Sequence, residues 1–173
     1  MDFEELVTWA SDNGFKALEV EAYEGSNQCN VDDGLSDEEA EKMNRIAEEN
    51  DVIISNLQYA PNMLNPDEEK REHNHEHMKK VIDACDKLNH CEAITTFIGR
   101  DPGKGIQENL ELMEEEYGHI VDYAKERDVK LAIENCPMGF YFPERFKTGN
   151  IAYSPSIWER IFDVYGPTVG LAF

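Results

Sequence analysis

The strongest constraint in this chain is the regular exchange of segments with a helical period for segments with a strand-like period. The exchange repeats five times, helix first, with short connections, and that order is what βαβ units and a parallel sheet require. Phe3, Leu6, Val7 and Ala10 mark one face of a first helix that stops at Gly14, and Ala17 to Tyr23 reads as a strand. Ser36 and Glu39 form a capping box for a helix reaching about Asn50, ahead of the β-branched strand Val52 to Tyr59. Asn65 with Pro66 is the expected N-cap of a third helix, whose stripe of Met78, Val81, Ile82, Cys85 and Leu88 leads into a strand from Ala93 to Ile98. A fourth helix, about Gln107 to Arg127, buries Leu110, Met113, Tyr117, Ile120 and Ala124 and delivers the chain to Lys130 to Glu134. Ser154-Pro155 opens a fifth through Ile157, Trp158, Ile161 and Phe162. Gly166-Pro167 ends it before a last strand, Thr168 to Phe173.

Two α/β architectures use this pattern. A closed (β/α)8 barrel needs eight strands and about 250 residues, so 173 residues with five strands fall about three strands short. An open doubly wound sheet of five strands fits the length as it stands. Periodicity alone does not choose between them.

Composition narrows the partners. With 37 acidic against 16 basic residues, the formal net charge is -21, spread over several helices, which repels phosphate backbones and anionic membranes. Plain solvated helix faces account for it, as does a high-salt cytoplasm. Nucleic acid and membrane are therefore not expected as partners, whereas a homo-oligomer is compatible with the same helix faces. No run of about 18 apolar residues is present. Met1 to Glu5 are acidic where a secretory leader needs positive charge, so the expected location is cytoplasmic. The 4 cysteines form no Cys-x-x-Cys pair and are expected to be reduced and mostly buried.

Chemistry concentrates at strand ends. Glu134 closes the strand Leu131-Ala132-Ile133-Glu134, and the carboxyl ends of parallel strands are where α/β folds hold ligands. A carboxylate there must be hydrated, paired or metal-bound. Glu21, Gln58, Tyr59 and Asn62 lie at the ends of the preceding strands and are expected to line the same mouth, a setting suited to a sugar or polyol. Gly99-Arg100-Asp101-Pro102-Gly103-Lys104-Gly105 lacks the spacing of a phosphate-binding Walker loop, but Arg100 is placed to contact an anionic or hydroxylated substrate. His73 and His77 share a helix face at i, i+4, amid so many charges that a solvated face is expected. His90 and His119 read as surface residues.

The run Ile133 to Met138 (IENCPM), followed by Gly149 to Pro155 (GNIAYSP), a Trp-containing helix and Gly170 to Phe173 (GLAF), resembles the sugar phosphate isomerase/epimerase proteins of the xylose isomerase-like TIM-barrel superfamily. ALEVEAY at Ala17 to Tyr23 and TFIGRDP at Thr96 to Pro102 agree with it. The resemblance covers the whole chain and implies an incomplete (β/α)8 barrel, a single domain over 1–173 truncated at both ends. It also implies that Glu134 is a metal ligand and the group that exchanges a proton, while three further ligands of the family would lie beyond Phe173. The implied chemistry is isomerisation or epimerisation of a sugar or sugar phosphate through an enediolate, with a divalent cation (Mn, Mg, Co or Zn).

One departure limits the resemblance. Where the epimerases carry a second carboxylate shortly after Glu134, this chain has Phe140-Tyr141-Phe142. An inosose dehydratase-like lyase is therefore an alternative, as is an AP endonuclease-like phosphodiesterase, which the charge opposes. A third expectation is a chain inactive by itself, whose unpaired sheet edges and apolar barrel interior drive self-association.

Overall fold

A computed structural model describes residues 1–137 and 148–173. It contains helices α1 (Phe3–Asp12), α2 (Asp37–Glu49), α3 (Glu68–Lys87), α4 (Ile106–Glu116), α5 (Gly118–Glu126) and α6 (Pro155–Tyr165). The strands are β1 (Ala17–Glu21), β2 (Ile53–Gln58), β3 (Ala93–Thr96), β4 (Lys130–Glu134) and β5 (Val169–Ala172).

All five strands are parallel and lie in the order β1-β2-β3-β4-β5. A doubly wound sheet reverses direction at a switch point. Here each strand is laid beside its predecessor on the same side. With right-handed crossovers this puts every helix on one face, which is how a barrel wall is built. The helix-facing side chains are apolar: Val20, Leu57, Ile94, Leu131 and Ile133 are all 0% exposed.

The opposite face differs from the apolar interior expected from the sequence. Register places Glu21, Gln58, Thr95, Ala132 and Gly170 in one row across it, with Glu19 and Asn56 in the row below. Polar and small side chains thus line the interior. A bulge sets this up, because Ser55 has no partner on β1 and Leu18↔Ile54 is followed by Glu19↔Asn56.

Most helix boundaries follow from their caps. The Ser36–Glu39 capping box is formed, and Asp2 with Glu5 makes another at α1. At α3 the cap is Asp67 and not Asn65: the Asn65 side chain accepts the Asp67 N–H at 3.0 Å, and Asp67 caps Lys70 at 3.2 Å. Asn65 makes a turn before the helix, two residues early. The expected fourth helix is two, α4 and α5, divided at Tyr117 and Gly118, where a weak helix former follows a fully buried ring.

Helix α3 keeps His73 solvated, with its side chain 64% exposed, but buries the next two histidines. His75 and His77 are 5% and 3% exposed, with Nε2 at 2.8 Å from the carbonyls of Met63 and Ala22, respectively. Continuing the stripe of Met78, Val81, Ile82 and Cys85 toward the N-terminus by three or four residues reaches them. His119 packs on His75, ring centres 4.9 Å apart, but is exposed, as is His90, in keeping with the surface reading of both. All four cysteines are free thiols, three of them buried, with the sulfurs of Cys85 and Cys91 3.1 Å apart. Among the described residues, no helix is long and apolar enough to cross a membrane.

Candidate active site

Glu134 is the last residue of β4, partly buried on the inner face at the carboxyl end of the sheet. Its main chain is fixed by Asn150, which is 0% exposed: the amide donates to the carbonyls of Glu134 at 2.8 Å and Cys136 at 3.1 Å. The Asn150 oxygen accepts the N–H groups of Gly99 and Ala152, both at 3.3 Å. Gly149 N–H donates to Pro137 O at 2.9 Å, and Ile151 N–H to Gly99 O at 3.1 Å. The segment entering α6 is therefore more than a capped loop. It joins the β3 and β4 ends into one rigid rim.

No described cation pairs with the Glu134 carboxylate. Burial raises its proton affinity above the ordinary carboxylate value, and the negative charge of Glu19 raises it further. Glu19 itself accepts hydrogen bonds from Asn56 and Thr95, and the Asn56 amide also donates to the Thr95 hydroxyl at 2.7 Å. Tyr23 stands at the same mouth. Its hydroxyl accepts the Ala60 N–H at 3.0 Å, and its ionisation is pushed up by burial and by Glu21, Glu134 and Glu19. Glu19, Asn56, Thr95 and Tyr23 were not singled out from the sequence, although the alternation Leu18-Glu19-Val20-Glu21 marks Glu19 as facing with Glu21.

The other sequence candidates divide. Glu21 and Gln58 share the inner face with Glu134, side by side in the register. Tyr59 does not line the mouth: it is 1% exposed, its ring centre is 4.5 Å from that of His77, and its hydroxyl donates to Glu24 at 3.2 Å. It shares the parity of Leu57, which faces the helices. Asn62 spends its side chain on the β3 loop, accepting Arg100 N–H at 2.9 Å and donating to Arg100 O at 2.8 Å. Arg100 is 9% exposed, with Nη1 donating to Thr148 Oγ1 at 3.1 Å and Nη2 to Lys104 O at 3.3 Å. Its guanidinium is held within the rim. Phe140-Tyr141-Phe142 lies outside the described residues.

Whether a divalent cation fits can be judged from the donors. Glu134 offers an oxygen ligand free of any described ion pair, but among the described residues no three His, Cys, Asp or Glu side chains surround a common point. These residues supply part of a coordination shell.

A parallel, sequentially wound sheet with helices outside and carboxylates at the strand ends defines a TIM-barrel wall. The chain belongs to the xylose isomerase-like TIM barrel family, whose model matches residues 7–172. No curated protein matches it. Among solved structures it is similar to D-psicose 3-epimerase from Clostridium cellulolyticum H10, crystallised with D-tagatose, at 16% identity and TM-score 0.69 over 99% of this chain and 57% of that one. It is likewise similar to IOLI protein with a bound zinc atom, at 15% identity and TM-score 0.69, covering 99% of this chain and 57% of that one. The probable 3-DHS dehydratase AsbF from Bacillus anthracis matches at 17% identity and TM-score 0.67, with the same shares of 99% and 57%. The chain thus spans little more than half the length of these proteins.

Proposed function

We propose that this chain forms the Glu134-bearing part of a metal-dependent isomerase or epimerase acting on a sugar or sugar phosphate. The supporting observation is Glu134 itself, a strand-end carboxylate with raised proton affinity and no described cationic partner. A carboxyl tuned upward is a better base for removing a proton beside a carbonyl, and a better acid for returning it. Glu134 takes that proton and leaves an enediolate; returning it to the neighbouring carbon, while the hydroxyl proton passes between the two oxygens, gives the isomer, and protonation of the original carbon from the opposite face by a second acid or water gives the epimer. Glu21, Gln58 and the Tyr23 hydroxyl bind and orient substrate hydroxyls. Asn150 holds the Glu134 peptide so that its carboxylate stays at the reacting carbon. A divalent cation (Mn, Mg, Co or Zn) ligated by Glu134 would polarise the carbonyl and stabilise charge on its oxygen.

Likeness to a probable dehydratase supports a second reading, a lyase that expels water from the same enediolate. Both begin with proton removal, so exchange with solvent is the first test. The purified protein is incubated in heavy water with Mn²⁺ and a panel of ketoses and ketose phosphates, and deuterium entry beside the carbonyl is followed by NMR. Glu134→Gln should lower the exchange rate by at least about 100-fold. Wild-type exchange in that variant rules the proposal out, and a dehydrated product in the wild-type reaction decides for the lyase.

A further inference from the structure

Away from Glu134, the connection after β1 and the first turns of α3 bring together polar groups that the proposed reaction does not use. Glu24 Oε1 is 2.9 Å from His73 Nε2, 3.7 Å from His77 Nδ1 and 3.2 Å from the Tyr59 hydroxyl. His73 and His77 are one helical turn apart and present their rings on one side, with centres separated by 6.5 Å.

His77 decides what this cluster is for. The ring is 3% exposed, and its Nε2 lies 2.8 Å from the Ala22 carbonyl oxygen, which can only accept. Nε2 therefore carries the proton. In the neutral ring the lone pair of Nδ1 then faces the Glu24 carboxylate, acceptor against acceptor, across 3.7 Å. A buried acceptor opposed to a negative oxygen calls for a positive charge between them, either a proton on Nδ1 or a bound cation. An imidazole whose far nitrogen is fixed by a backbone carbonyl is also the standard orientation of a metal-ligating histidine. The Tyr59 hydroxyl orients the carboxylate in the same way.

We propose that Glu24, His73 and His77 bind a divalent transition metal of the zinc class, at a rim site separate from Glu134, clasping the β1–α2 connection to α3. Two imidazoles and one carboxylate suit zinc or cobalt, whereas magnesium and calcium require mostly oxygen ligands. As they stand, the three donors do not surround one point. His73 supplies the adjustment, because its side chain is 64% exposed and free to turn about its own torsions. The clasp would also fix Tyr59, whose ring packs edge-on against Tyr23 at the mouth, 5.4 Å between centres.

The test uses the full chain, stripped of metal with chelator and carrying Glu134→Gln so that the mouth cannot compete. Zn²⁺ is titrated calorimetrically, and Co²⁺ by its visible absorption. One equivalent of Zn²⁺ should bind, and Co²⁺ should give the intense bands of a low-coordinate nitrogen-ligated site. Adding His73→Ala or Glu24→Gln should each weaken Zn²⁺ binding by about tenfold or more and alter the cobalt spectrum. Both side chains are exposed enough to be replaced without unfolding, which circular dichroism verifies. Absence of saturable Zn²⁺ binding overturns the proposal. So does binding that His73→Ala leaves unchanged, or that His119→Ala abolishes, since the latter places the metal between α3 and α5.

Discussion

Gly99 is the position where one added methyl group should cost most. Its φ is +84°, and a Cβ there would lie 1.9 Å from Asn62 Oδ1, 2.8 Å from Asn62 Cγ and 2.9 Å from Asn62 Cα. The Asn62 side chain can swing away, but its Cα cannot. Alanine in the left-handed region costs about 1–2 kcal/mol. Displacing the Asn62 amide strips the Arg100 N–H and C=O of partners at 2.9 and 2.8 Å, about 1–2 kcal/mol for each buried group. Gly99→Ala should therefore lower stability by about 3–6 kcal/mol, a large share of the roughly 5–15 kcal/mol typical of a domain. Asn62→Ala loses the same two bonds to Arg100 without the strain and should cost about 2–4 kcal/mol. Since those bonds can be lost only once, the double variant should be little worse than Gly99→Ala, giving a coupling of about 2–4 kcal/mol, the full Asn62→Ala cost. Urea unfolding followed by circular dichroism, with m unchanged, measures all three. A Gly99→Ala cost below about 1 kcal/mol, or strictly additive single costs, would refute the clamp.

Three further outcomes follow from the same geometry. Asn150→Ala, which empties a fully buried clamp on Glu134 O and Cys136 O, should cost about 2–4 kcal/mol in unfolding experiments and lower solvent exchange of the substrate proton without changing its pH dependence. Because the folded state raises the Glu134 pKa, the stability tied to its neutral form is complete in acid, below the unfolded value, and is lost as pH rises through the folded one. Glu134→Gln should thus match wild-type thermal stability in acid and exceed it at neutral pH; a less stable variant at neutral pH would contradict the unpaired carboxylate. Tyr59→Phe, which removes a hydroxyl facing Glu24 and not the mouth, should cost about 1 kcal/mol and leave KM for the substrate unchanged.

What the sequence made legible was whatever depends on local pattern. Val20 and the Leu131–Ile133 pair alternate with polar neighbours, so strands and their order of appearance were readable, and Glu134 was found because it closes such a strand. Facing was harder. Strict alternation through Val52 to Tyr59 would put Ile54 and Leu57 on opposite faces, yet both are buried against the helices, at 1% and 0% exposure. The unpaired Ser55 shifts the phase between them. Position at a strand end therefore predicted that Tyr59 lines the mouth, when the shifted parity turns it outward. Asn62 and Arg100 were beyond sequence reasoning for another reason: their partners, on the β2, β3 and β4 loops, are 38 and 48 residues apart in the chain. The Asn62 amide and the two terminal nitrogens of Arg100 are spent on neighbouring loops, while Arg100 Nε is buried without a partner among the described residues.

The two halves of the most distinctive motif now have separable tasks. Ile133 to Cys136 supplies the carboxylate and Asn150 secures the peptide carrying it, touching Glu134 only through the backbone carbonyl. A salt bridge would have fixed the carboxylate more directly, but it would have lowered proton affinity and occupied an oxygen. Holding the main chain leaves both carboxylate oxygens free of described hydrogen bonds, while burial, and after it the charge of Glu19, keeps proton affinity raised. That arrangement, a fixed peptide carrying an unpaired carboxylate, is the one that the proposed proton-transfer role of Glu134 calls for.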